Sequence, residues 1–233
     1  MQLSRRTLLG SLAAAGGLEL AGLGLARRAV ALTSQQEMVD RARLTFEKLT
    51  TSQDTDELPD FVRRCRGLLI FPELVKAGFI FGAEGGGGVA MVRDETRGWS
   101  DPAFYTLVGG SIGLQIGGQL SEMVMTIMTQ ESIDALIDNQ FKFGGNISIA
   151  VGPVGKTLGR DSTTALNADV YAFAISKGLF GGMSLDGSGI LKRDSWNQAY
   201  YGFEATPYGV LIEQRFHNPN AAPLVQAATG VAG

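Results

Sequence analysis

The chain of 233 residues holds a single cysteine, Cys65, and a single histidine, His217. One cysteine forms no internal disulfide, and one Cys with one His supplies none of the Cys/His sets that hold zinc or iron-sulfur clusters. Proline is scarce at 7 residues, and no G-X-Y period runs through the glycines, which excludes a collagen-like or proline-rich filament. Charged side chains amount to only 18%, against about 25% in an average soluble domain, and the net charge is −3. Nothing therefore draws the whole chain toward a phosphate backbone, and no basic patch interleaved with aromatics does so locally. Nucleic acid and metal are set aside as partners, and no cofactor is implied.

What the chain has is apolar residues, at 45%, and 32 glycines. This is the composition of folded backbone, not of disorder. At the N-terminus, Ser4-Arg5-Arg6 opens a run of Leu, Ala and Gly from Leu8 to Ala26, broken by Glu19 and followed by Ala29-Val30-Ala31. Charged region, apolar region and small-residue cleavage site succeed one another as in an export signal, and the twin arginine before a weakly hydrophobic core is similar to a twin-arginine signal. An ordinary secretory signal and a retained anchor helix are the alternatives. Cleavage is expected between Ala31 and Leu32, with an exported, periplasmic or envelope-associated product. Removing residues 1–31 takes four arginines and one glutamate, leaving 16 basic against 22 acidic side chains and a charge of −6.

In the remaining chain, Val39, Ala42, Phe46 and Leu49 recur at helical spacing, and the spacing predicts an amphipathic helix over 35–49. Its polar face is mixed, with Glu37, Asp40 and Glu47 beside Arg41, Arg43 and Lys48. A short second helix is expected from Pro59 to Arg66, turning Leu58, Val62 and Cys65 inward. From Gly67 the period becomes two. Residues 108–120 alternate large apolar groups with small or polar ones, as do segments around Ile149 and Phe173; further strands are expected near 79–83, 89–93, 123–128 and 179–185. Glycine inside so many strands implies bulges and strong coiling. One helix, capped by Thr129, interrupts them. The reading is a single α+β domain over 32–224, with a strongly coiled, mostly antiparallel, Gly-rich, barrel-like β-sheet, N-terminal amphipathic helices and one inserted helix. Residues 225–233 read as a loose tail, or as part of a short C-terminal helix.

Three short patterns imitate catalytic motifs. Gly109 to Gly113 matches G-x-S-x-G, with Ser111 in the nucleophile position and His217 downstream, but the residues after Ser111 keep strand alternation where a hydrolase opens a helix. Gly152-Pro153-Val154-Gly155-Lys156 imitates a phosphate loop, yet no good helix start follows and Pro153 removes a donor. Gly85 to Gly88 precedes a strand pattern and reads as a hairpin connection instead of a dinucleotide fingerprint. Arg63, Arg64 and Arg66, with Lys76 nearby in sequence, form the notable basic cluster. They serve either the C-terminus of the second helix or an anionic headgroup.

Taken in order, Cys65 to Pro72, Lys76 to Phe79, the Gly85 to Val89 run, Gly98 to Pro102, Gly109 to Gly117, Gly152 to Gly155, Lys177 to Phe180 and Asn197 to Gly202 resemble the SYLF domain family over about Gln35 to Leu224. The resemblance implies lipid binding, since eukaryotic members bind phosphoinositide membranes with the help of an amphipathic N-terminal segment and some bind actin. For an exported protein it implies other anionic lipids. The expectation is a non-enzymatic domain that contacts anionic phospholipid headgroups through surface Arg and Lys, with Arg63, Arg64, Arg66 and Lys76 as candidates and an apolar edge shallowly inserted. An envelope protein-interaction module is the alternative, and a serine hydrolase using Ser111 ranks last.

Overall fold

The computed structural model describes residues 34–78, 81–112, 117–151, 167–178, 185 and 187–233. The expected signal with its Ala31/Leu32 boundary, the Gly152 to Lys156 turn and most of the segment 179–185 lie outside them. Helix α1 occupies residues 34–51, and Val39, Ala42, Phe46 and Leu49 are all buried on its sheet-facing side. After a 3-10 turn, Gln53–Thr55, comes α2, Leu58–Arg64, with Pro59 in its first turn and Cys65 in extended backbone at its end. Leu58, Val62 and Cys65 point inward as their spacing requires.

Among the described residues eight strands follow: β1 Gly67–Gly78, β2 Phe81–Asp94, β3 Gly98–Trp99, β4 Ala103–Ile112, β5 Gly117–Ile127, β6 Ile149–Val151, β7 Val170–Gly178 and β8 Gly189–Lys192. Their order is β6-β7-β5-β1-β2-β4-β8, with β3 beside β2, and every pairing is antiparallel except β6 with β7. The sheet curls into a half-barrel, and residues 142–147 lie between its two end strands: Lys142 bridges to Gly189 and Phe143 to Ile147. Helix α3, Gln130–Ile137, is inserted after β5, and Thr129 Oγ1 accepts from the Ser132 N–H to cap it. Helices α4 Asp194–Tyr201, α5 Pro207–Leu211 and α6 Ala222–Ala232 complete the chain.

Both faces of the sheet are covered over part of their length. Leu69, Phe71, Tyr105, Leu107, Met123 and Met125 pack toward Ile133 and Leu136 of α3 and Val210 and Leu211 of α5. Leu68, Ile70, Met91, Phe104, Val124 and Phe173 meet the buried residues of α1, α2 and α6 on the other face, called here the α1 face. Among the described residues no helix is long and apolar enough to cross a membrane.

Three expectations need correction. The alternation over 108–120 belongs to two strands that do not pair with each other. Ile112 sits opposite Phe81 and Gly117 opposite Gly78, so the chain passes from one side of the β1/β2 hairpin to the other. A period of two carries on through the connection, which hides the break. The four glycines Gly85 to Gly88 lie inside β2, not at a hairpin tip. They face an irregularity in β1 between Ile70 and Val75 that brings the β1 backbone close; a Cβ on Gly86 would overlap the Glu73 carbonyl oxygen. Residues 225–233 are helical because α6 buries Leu224 and Ala228 against the elements that cover the α1 face. Helices α4 and α5 were not expected at all.

Candidate functional site

Helix α1 crosses the strands and divides the α1 face. Met38 reaches β2 near Gly87, Arg41 pairs with Glu73 on β1 at 2.6 Å, and Lys48 pairs with Glu122 on β5 at 2.7 Å. On one side of this helix the face is roofed by α2, α4 and α6. On the other side the strands run on without a helix among the described residues. Leu120 on β5, Val75 on β1, Gly85 on β2 and Val108 on β4 are successive register partners there, forming a transverse row with Gly189 of β8 at its end. The next row holds Gly87, Thr106 and Leu191. Val75, Val108, Leu120 and Leu191 are 44%, 40%, 52% and 42% exposed. A strand's side chains alternate between faces, so these residues share the α1 face with Phe104 and Val124, which α1 and its neighbours bury.

The band has a defined margin. Arg41, Leu44 and Lys48 fall on one strip of α1, and Leu44 is exposed between the two ion pairs. A cleft of about 170 Å³ opens below them, lined by Arg41, Lys48, Glu73, Leu120, Glu122 and Ile175. At the opposite margin, Arg193 follows β8 and lays its guanidinium over the Trp196 ring, 3.3 Å from the centroid. Phe203 and Tyr208, also exposed, stand apart on the turn after α4 and on α5.

The basic residues proposed from sequence do not form one group. Arg63 pairs with Asp60 one turn away on α2; Arg64 lies over the Phe61 ring at 4.8 Å and donates to the Asp60 carbonyl; Arg93 donates to the Arg63 carbonyl at 2.9 Å. This is the charge arrangement that satisfies a helix C-terminus. Arg66 is exposed beside them. Lys76 lies nine residues along β1 from Gly67, about 30 Å away, in register with Glu84 and Gln119. Cys65 is buried under this corner, and desolvation pushes its thiol up to about 12, partly offset by Arg93. It is a packing residue rather than a reactive one.

Ser111 and His217 do not form a nucleophile and base pair. Ser111 lies near the end of β4, whereas the His217 Nδ1 is 3.6 Å from Asp101, just before the start of that strand. About 25 Å of strand separates them. Among the described residues no group of His, Cys, Asp and Glu is arranged to hold a metal ion.

One motif segment, Asn197 to Gly202, has a role that periodicity did not reveal. The buried Asn197 accepts from the Phe104 N–H at 2.8 Å and donates to the Phe104 and Arg193 carbonyls at 3.3 and 3.2 Å. It takes over the β4 edge where β8 stops, and so fixes α4 and Arg193 against the sheet. A buried Asn in a short amphipathic stretch was the available signal.

Comparison with known proteins agrees with this architecture. The Ysc84 family model, described as Las17-binding protein actin regulator, matches residues 108–231. SH3 domain-containing YSC84-like protein 1 of Xenopus laevis is 29% identical over 199 residues, covering 84% of this chain and 59% of its own. LAS seventeen-binding protein 3 of Saccharomyces cerevisiae is 30% identical over 198 residues, covering 83% and 43%, and Protein YSC84 of the same yeast is 30% identical over 200 residues, covering 84% and 42%. The chain thus spans about half the length of the relatives it matches. With more than half of its residues matched by the family model and the SYLF segments present in order, the chain belongs to the Ysc84 (SYLF) family.

Proposed function

We propose that this chain is a non-enzymatic lipid-binding domain of an exported envelope protein, which seats the bare end of its α1 face on an anionic membrane surface. The observation that carries the reading is the row Leu120, Val75, Gly85 and Val108 with Leu191 beside it, an apolar band left open beyond α1. Apolar groups in such numbers on one face favour transfer to an apolar phase, at about 25 cal/mol per Å² removed from water. The mature charge of −6 repels anionic bilayers at long range, so contact rests on shallow insertion and on cations at the margin of the band. Arg63 and Arg64 have partners on α2, and Lys76 is remote from them, so the band takes the place of that cluster as the contact surface.

A second reading, an envelope protein-interaction module, is favoured by the relatives' names, which describe binding to the protein Las17. Flotation of residues 32–233 with vesicles of phosphatidylcholine, with and without phosphatidylglycerol, separates the two. Recovery with the vesicles that rises with phosphatidylglycerol and falls with salt supports lipid. Failure to float with either vesicle discards it in favour of the protein module. Replacement of Arg5 and Arg6 by Lys is expected to hold the precursor in the cytoplasm, because the export pathway reads the guanidinium pair; unchanged export removes that part of the reading.

A further inference from the structure

At the margin of the apolar band sits a cation with an aromatic partner and, among the described residues, no carboxylate. Arg41, Arg43, Lys48, Arg63, Arg97 and Arg215 each face a carboxylate. Arg193 does not: among the described residues its guanidinium meets no carboxylate and donates no hydrogen bond. Its one recorded side-chain partner is the face of Trp196. It is also partly buried, and desolvation lowers its pKa, although an Arg stays charged at any physiological pH. A half-desolvated cation without a counter-ion costs free energy unless an anion completes it.

The fold holds this side chain in place on purpose-shaped ground. The Arg193 N–H donates to the Phe104 carbonyl at 3.0 Å, and the buried Asn197 fixes the turn that follows. Beneath the guanidinium, β2 supplies Gly87. A Cβ there would stand 2.9 Å from Arg193 Nη1 and 3.0 Å from Met38 Cε, so glycine lets the arginine lie close over the strand and a side chain would displace it. Gly87 is in register with Thr106, and Thr106 with the exposed Leu191. The cation is thus one strand from the apolar band, with its planar donors available at the border.

We infer that Arg193 is the headgroup-recognition residue of the membrane face: its guanidinium, backed by Trp196 and seated on Gly87, binds the phosphate of an anionic phospholipid whose acyl chains rest on Leu191, Val108, Val75 and Leu120. This assignment rests on the membrane reading above and adds to it the residue that confers preference for negative charge. The occupant follows from charge complementarity. An unpaired cation at the edge of an apolar sheet face matches an amphiphile with one anionic end, and a planar guanidinium matches phosphate with two parallel donors.

The test uses the protein of residues 32–233 with vesicles of phosphatidylcholine alone and of phosphatidylcholine with phosphatidylglycerol. Arg193→Gln is expected to lose about fivefold of the binding to phosphatidylglycerol vesicles and none of the binding to phosphatidylcholine alone, the effect of one cation near a charged surface. The chain has two tryptophans and Trp99 is buried, so Trp99→Phe leaves Trp196 as the reporter. On unsubstituted Arg193, phosphatidylglycerol vesicles are expected to shift Trp196 emission and shield it from acrylamide, with inorganic phosphate giving neither effect. This second measurement keeps the idea exposed even if Arg193→Gln fails to fold. Arg193→Gln that is folded and retains the full preference for phosphatidylglycerol, or a Trp196 signal indifferent to those vesicles, overturns the assignment and leaves the membrane reading standing. An equal response to inorganic phosphate overturns the lipid as occupant. Failure of the parent protein to bind either vesicle overturns both.

Discussion

The two ends of the α1 face are built from the same strands and differ in what lies over them. Toward the start of β1, Leu68, Ile70, Met91, Phe104 and Val124 are fully buried beneath helices. Toward its far end, Val75, Leu120 and Val108 continue the same apolar face into the open. The difference is one of side-chain size as well as cover. The roofed end has bulky residues on each strand, whereas the open end alternates Val and Leu with Gly85, Gly87 and Gly189 across its rows. Bulky residues make a core when helices pack on them; the same face thinned by glycine is left with fewer large side chains to bury. The contrast teaches that one sheet can bury its apolar face at one end and leave it open at the other, with α1 as the boundary.

Substitutions at the two ends should therefore separate the two properties. Phe46→Ala removes a fully buried ring from α1 and is expected to cost about 3–5 kcal/mol, measured by urea unfolding. A loss below about 1 kcal/mol means that α1 does not hold the roofed end. At the open end, Val75→Ser with Leu120→Ser should change stability by under about 1 kcal/mol, because both residues are exposed in the folded chain. Partitioning into phosphatidylglycerol vesicles should nevertheless fall about tenfold or more. If stability collapses instead, the open end is a core and the contrast fails.

A smaller effect is expected at the corner of α2. Replacing Arg63, Arg64 and Arg66 together by Gln should lower stability by about 1 kcal/mol, with vesicle binding by the folded variant kept within about threefold. A hundredfold loss of binding restores that cluster as the contact surface. The smallest effect concerns Asp169, which ties β6 to β7. Burial raises its pKa, but hydrogen bonds from the Ser148 N–H at 2.9 Å and hydroxyl at 2.5 Å, with a further one from Thr129, more than offset this and hold it below the usual aspartate range. A depressed carboxylate pKa contributes stability above the unfolded value and loses it as pH falls through the folded one. The stability difference between the parent and Asp169→Asn should therefore be constant above about pH 4 and shrink as the pH falls below it; a difference that changes near neutrality excludes this explanation.

Much of the fold could be read from spacing. The 3.6-residue period put Val39, Ala42, Phe46 and Leu49 on one buried face, and Thr129 capped α3 as its position suggested. Strand pairing could not be read, because a period of two says which face a residue takes and nothing about its neighbour. This is why the β4 and β5 segments passed for a single strand. The four glycines of β2 were misjudged for a related reason: spacing reveals neither the β1 irregularity that faces Gly86 and Gly88 nor the Arg193 side chain over Gly87. Closeness in number also did not carry over to space. Arg63, Arg64, Arg66 and Lys76 are close in number, but an extended strand carries Lys76 away from a helix end. Arg193 has no basic neighbour except Lys192, whose Nζ donates to the Ile137 carbonyl instead, so nothing in the sequence marked it.

The placement of β5 beside β1, with β4 on the far side of β2, sets an order on assembly. While the chain is being made, β1 and β2 can zip together as soon as both exist, and β4 can extend that ribbon along β2. The other edge of β1, from Gly67 to Gly78, must wait until Ile127 has been synthesised before its partner can close over it. For that interval a long apolar strand presents unpaired backbone, the condition under which nascent copies pair with one another. Contacts so distant in sequence also slow folding into the millisecond-to-second range.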